Sequence, residues 1–186
     1  MTDKIAEAWR TILTELGYSA SDVHLAESPD RVARYMRQWH TAAAPAPELT
    51  VFDNTNPRYD ELITTEQIWF YSQCAHHGLP FFGTVAVGYI PGDHILGLSK
   101  FARVVDYFAH RFQVQERMTH QIAEFLDERL RPKGLGVIVR AEHLCMSSRG
   151  VQRPGHRTTT SALRGVFRDN PAARSEWLEF ANGGKR

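Results

Sequence analysis

Residues 65–90 read TEQIWFYSQCAHHGLPFFGTVAVGYI, and the reading of this stretch decides the fold. Across 65–73, Ile68 and Phe70 alternate with polar neighbours. Across 82–90, Val85, Val87 and Tyr89 recur at the same period of two. That alternation predicts two strands, each with a buried face. Cys74-Ala75-His76-His77 closes the first strand, and Pro91-Gly92-Asp93 forms a turn after the second.

Downstream the period changes. Ser99 is a good N-cap for a helix running to about His110, with Phe101, Val104, Val105 and Phe108 on one face. A second helix is predicted over roughly 115–130, with Met118, Ile122, Phe125 and Leu126 inward. Strands follow at 135–144 and 157–168, and Pro171 opens a short terminal helix with Trp177 and Phe180. Two strands, two helices and two strands make an α+β fold, an antiparallel sheet with the two helices on one face. Upstream, Ile5, Trp9, Ile12, Leu13 and Leu16 predict a helix over 3–17 ended by Gly17, and Ser28-Pro29 opens another. The Ala-Pro-rich stretch 42–60 reads as a loop or arm. The expected organisation is an N-terminal helical segment and loop, 1–60, and a main domain, 61–186.

The bulk composition narrows the function. A 42% hydrophobic, 23% charged chain of 186 residues is an ordinary folded protein, with no compositional sign of disorder. A formal net charge of +1 gives no global field for nucleic acid, so anion recognition must come from local clusters. No secretory signal and no apolar run of membrane-spanning length is seen, so the expectation is a cytoplasmic, reducing setting without a membrane partner. There, two sparse cysteines point to metal or catalysis rather than to a staple.

Cys74 and His77 stand at C-x-x-H spacing, which lets one turn aim both at one ion. His143 and Cys145 lie two apart at the end of a predicted strand, which sends both side chains to the same face. Two thiols with up to three imidazoles, counting His76, suit zinc. Spacing alone leaves three readings open: a closed structural site, a catalytic site with three protein ligands and water, and histidines merely hydrogen-bonded in a core. Lys100 and Arg103 occupy a first helical turn, where the helix dipole disfavours cations unless an anion docks there. Arg149, Arg153 and Arg157 add positive charge after the second metal segment. Glu116 has the chemistry to accept two parallel N–H bonds from a flat donor edge, or simply to face the dipole of its own helix.

Taken together, Cys74 with His76-His77, Gly97-Leu98-Ser99-Lys100, Val114-Gln115-Glu116-Arg117, His143-Leu144-Cys145-Met146 and Arg149-Gly150-Val151 resemble GTP cyclohydrolase I in order and spacing. Thr159–Gly165 resembles that family's late strand, and Ser28–Arg34 its N-terminal helix, so the likeness covers nearly the whole chain. The resemblance implies a tunnelling fold assembled into an oligomeric barrel, a homodecamer in the bacterial enzymes, with active sites between subunits. It implies conversion of GTP and water to formate and 7,8-dihydroneopterin triphosphate. It makes Cys74, His77 and Cys145 ligands of Zn2+, and His76 and His143 the acid–base pair. Glu116 becomes the guanine anchor with Gln115 beside it, and Lys100, Arg103, Arg149 and Arg34 the triphosphate clamp, with Ser99 in the substrate-binding set. The product's consumer is left open among folate, reduced pterin and 7-deazaguanine formation.

Two positions depart from the family pattern. Ala75 stands where the family has Glu, and Gly78 where it has a bulky apolar residue. The first removes a carboxylate beside the metal segment, and the second is expected to loosen the loop carrying His76 and His77. Two rivals follow: an enzyme stalled at a formylated intermediate, and a non-catalytic zinc-binding homologue. A nitrile reductase of the same fold fits less well, because no nicotinamide-binding cue stands out.

Overall fold

The computed structural model describes residues 3–19, 21–40 and 44–183, in two compact units, 1–44 and 45–186. The first holds α1 (Lys4–Glu15) and α2 (Ser28–Trp39). Asp3 caps α1 by accepting from the backbone N–H groups of Ile5 and Ala6. Small residues bring the two helices together, since Ala6 and Ala33 are each 1% exposed.

The second unit runs β1 (Val51–Asp53), β2 (Ile63–Cys74), β3 (Pro80–Ile90), β4 (His94–Leu96), α3 (Ser99–Ala109), β5 (Phe112–Gln113), α4 (Gln115–Leu130), β6 (Gly134–His143), α5 (Leu144–Ser147), β7 (Arg157–Gly165), α6 (Val166–Asp169) and α7 (Pro171–Ala181). Five strands form one sheet in the order β5-β2-β3-β6-β7, antiparallel except that β5 runs parallel to β2 over two residue pairs. Residues 45–60 fall in this second unit, where β1 pairs with β4 in a separate two-stranded sheet through Val51↔Leu96 and Asp53↔His94.

The alternation seen in the sequence sorts side chains to two faces. Val85, Val87, Tyr89, Leu135, Val137 and Val139 pack under α3 and α4, meeting Phe101, Val104, Met118 and Ile122. The expected face is therefore covered by the expected helices. The opposite face is also covered: Ala86 and Ile138 pack with Phe167 and Trp177 of α6 and α7. Fully buried Trp177 fits there because Gly88 and Gly136, paired across β3 and β6, leave a slot that a Cβ at either position would fill.

Three local readings are corrected. Ser99 is the first helical residue of α3, and the cap is Leu98, already helical and without a side-chain capping bond. The strand predicted over 135–144 stops at His143, and Cys145 lies on the one-turn helix α5. The last strand ends at Gly165, where φ of +52° turns the chain into α6.

Candidate metal centre and adjoining cavity

The end of β2 builds the first half of the site. Cys74 N–H donates to Leu79 O at 2.8 Å and Gly78 N–H to Cys74 O at 2.8 Å, closing a tight turn around His76 and His77. Gln73 Nε2 donates to Gly78 O at 2.7 Å, and Ala75 N–H to Gln113 O at 2.9 Å. Gly78 has φ of +68°, a conformation glycine adopts without steric cost. Four hydrogen bonds thus hold the turn that carries His76 and His77.

Cys74 Sγ lies 3.7 Å from His77 Nδ1 and 3.9 Å from His76 Nδ1. Cys145 is brought up by α5 rather than by strand alternation, and the ligand atoms of Cys74, His77 and Cys145 all lie within 4.8 Å of one another. The donor set fits zinc. Bonds of about 2.3 Å to sulfur and about 2.0–2.1 Å to nitrogen place tetrahedral S and N ligands about 3.6 Å apart. The Cys74–His77 separation of 3.7 Å is close to that spacing. Burial and the neighbouring Cys74 push the Cys145 thiol up, with Arg149 opposing. A cation between the two sulfurs would relieve that repulsion.

His143 sits apart from this trio. Its ring stacks on Phe81 at 4.6 Å and 1°, and its Nε2 is 2.7 Å from Gln115 Oε1. Burial pushes its pKa down, and the Glu116 carboxylate partly offsets this. The trio, His76, His143, Gln115 and Glu116 line one cavity of about 210 Å³, and Glu116 also borders an adjoining one of about 510 Å³.

Ser99, Lys100 and Arg103 sit on the first turn and a half of α3 and do not line this cavity, and Arg34 is an exposed residue of α2 in the other unit. Arg149 is close enough to influence Cys145.

A profile of the family described as GTP cyclohydrolase I matches residues 5–182. The chain belongs to the GTP cyclohydrolase I family. The GTP cyclohydrolase 1 of Janthinobacterium sp. (strain Marseille) is 46% identical over 181 residues, 96% of this chain and 91% of that protein. The GTP cyclohydrolase 1 of Aquifex aeolicus (strain VF5) is 46% identical over 181 residues, 97% of each. Among solved structures, the apo form of the archaeosine synthase QueF-Like aligns with a TM-score of 0.43 and 20% identity, over 65% of this chain and 97% of that one.

Sequence reading missed two residues that hold this family site in place. Gln113, 1% exposed, donates through Nε2 to Phe108 O and Gln121 Oε1 and accepts at Oε1 from Arg117 Nε. Its backbone pairs with Cys74, so it ties the metal segment to the start of α4. Glu142 accepts from Ser147 Oγ at 2.7 Å and from Gly155 N–H at 3.1 Å, pinning the basic loop after Cys145. Those bonds, with Arg157, hold its carboxyl below the usual range. A polar residue among polar neighbours gives no periodic signal, so neither was visible.

Proposed function

We propose that this enzyme opens the guanine ring of GTP by adding water, releasing formate and forming 7,8-dihydroneopterin triphosphate. The observation that carries the reading is the Cys74–His77–Cys145 trio sharing one cavity with His76, His143 and Glu116. Three protein ligands rather than four favour a catalytic ion over a purely structural one. Held by these residues, zinc would offer an open coordination position and would bring the pKa of a bound water down to about 7.

The chain's own groups do the rest. Glu116 accepts the two parallel N–H groups of the guanine edge and so orients the purine. As water adds to carbon 8, the neighbouring ring nitrogen must gain a proton before its bond to that carbon breaks. His143 and His76 give and receive these protons, which suits groups with an ordinary pKa near 6.5. A second addition of water releases formate, and the later ribose opening and ring closure need proton transfers without a redox cofactor. Lys100, Arg103, Arg149, Arg34 and Ser99 hold the triphosphate.

Ser99, Lys100 and Arg103 lie outside the lining of the metal cavity, which supports an active site completed between copies of the chain. Open strand edges support the same assembly. Among the described residues β7 has a partner on one side only, and β5 covers only Gln73 and Cys74 of β2. Such edges are closed in stable proteins by covering or pairing them, and a barrel of tunnelling-fold subunits, a homodecamer, does so. No described helix is long and apolar enough to cross a membrane. Both cysteines are free, which suits a reducing cytoplasm.

The test is to incubate the zinc-loaded protein with GTP and follow formate together with the fluorescence of oxidised neopterin triphosphate. Both products are expected. A ring-opened species without formate would replace the full reaction by a stalled one, and GTP binding without turnover would leave only a zinc-binding homologue.

A further inference from the structure

Gln115 is 2% exposed and lies in the first turn of α4, yet its side chain reaches the sheet instead of capping the helix. Its Nε2 is 3.1 Å from Val139 O, 3.0 Å from Thr158 O and 3.2 Å from Thr160 Oγ1. Backbone carbonyls only accept, so this end of the amide is the NH2 group, and flipping it would set oxygen against two carbonyls. Oε1 is therefore the atom 2.7 Å from His143 Nε2. An amide oxygen cannot donate, so His143 Nε2 carries the hydrogen.

The neighbouring hydroxyls agree with this direction. Thr119 Oγ1 donates to Gln115 O at 2.8 Å and so accepts in its 2.6 Å contact with Thr160 Oγ1. Thr160 spends its own hydrogen there and is left to accept from Gln115. The two Nε2 hydrogens are shared among three acceptors and Oε1 is engaged by His143, so the amide keeps no donor for a ligand, only the second lone pair of Oε1. Phe81, parallel to the imidazole, fixes the plane of the ring.

We propose that Gln115 is a positioning residue for His143, holding the neutral imidazole as the Nε2–H tautomer with its lone pair on Nδ1. The proposal rests on the reading of His143 as an acid–base group. It moves Gln115 from the substrate-binding set implied by the resemblance to the support of the histidine. Nδ1 is then the nitrogen that exchanges a proton with the substrate, and the Gln115 bond keeps it aimed throughout.

The test is 15N NMR on the zinc-loaded, assembled protein carrying 15N-labelled histidine, with the His143 signal assigned by its loss in His143→Gln. Above the range where imidazole is charged, the expected spectrum has hydrogen on Nε2 and a bare Nδ1. An Nδ1–H tautomer, or an even mixture, would overturn the proposal without any variant having to fold. Gln115→Met keeps the side chain's length and removes both hydrogen-bonding ends. A mixed tautomer is expected, with kcat down roughly tenfold to a hundredfold, KM for GTP within about threefold, and zinc content unchanged. A raised KM with kcat and tautomer unchanged would return Gln115 to substrate binding. An Nε2–H signal in a protein that turns over no GTP would uphold the tautomer and defeat the functional reading.

Discussion

Replacing Cys145 by Ala separates the metal centre from the fold. Three ligand atoms within 4.8 Å of one another become two, Cys74 Sγ and His77 Nδ1, 3.7 Å apart on a single turn. Zinc held by protein ligands contributes about 10–16 kcal/mol in structural sites. Shared among the four ligands of such a site, one ligand is worth about 2.5–4 kcal/mol, roughly a hundredfold to a thousandfold in zinc affinity. The metal-free fold should not suffer in proportion. Cys145 is only partly buried on the one-turn α5, and burial and Cys74 keep its metal-free thiol neutral, so deleting it removes a small uncharged side chain. Competition against a chromophoric chelator measures the affinity, and thermal unfolding of metal-stripped protein measures the fold. The reasoning is refuted if zinc affinity drops less than tenfold, or if the stripped variant melts far below stripped wild type.

Glu116→Gln replaces a charged double acceptor by a neutral group that sets one acceptor and one donor against the two parallel N–H groups. The expected loss is about 3 kcal/mol, roughly a hundredfold in kcat/KM for GTP, with the preference for GTP over inosine triphosphate largely gone; an unchanged preference would remove Glu116 from guanine recognition. Glu142 has a folded pKa below its unfolded value, so it stabilises the fold above the ordinary carboxylate range and stops doing so as pH falls through its folded pKa. Melting temperature measured against pH should therefore fall more steeply below about pH 4.5 in wild type than in Glu142→Gln, and parallel curves would count against the staple. Trp177→Ala empties a fully buried slot and should cost about 3–5 kcal/mol in urea unfolding. Trp177→Phe should cost under about 1.5 kcal/mol, because the indole N–H has no acceptor among the described residues.

The sheet centre and its two covering helices were legible because β3, β6, α3 and α4 each carry one period, whereas β2 is interrupted by a register shift between Thr65 and Ile68. Strands β3 and β6 alternate large side chains toward α3 and α4, and α4 matches its predicted span of 115–130. The short pieces were not legible. Strand β1 is exposed at all three residues, so no apolar pattern marks it, and its partner β4 lies some forty residues away in sequence. The one-turn α5 is too short for a period, and it replaces the strand end that was to aim Cys145. The trio Cys74, His77 and Cys145 came from the resemblance rather than from spacing, which left the ligand set open, and the structure brings these three into a group that could hold a metal ion. Which face Trp177 covers depended on two glycines meeting in register, a fact of pairing rather than of either segment. The partner of His143 depended on where a buried amide points, and residue type cannot give that.

The central claim concerns the fate of one carbon atom. GTP labelled with 13C at carbon 8 should be given to the zinc-loaded protein and followed by NMR. The label is expected to leave as free formate while the dihydroneopterin triphosphate formed carries none. Label retained in unchanged GTP, or held in a formamide on a ring-opened product, would contradict that claim.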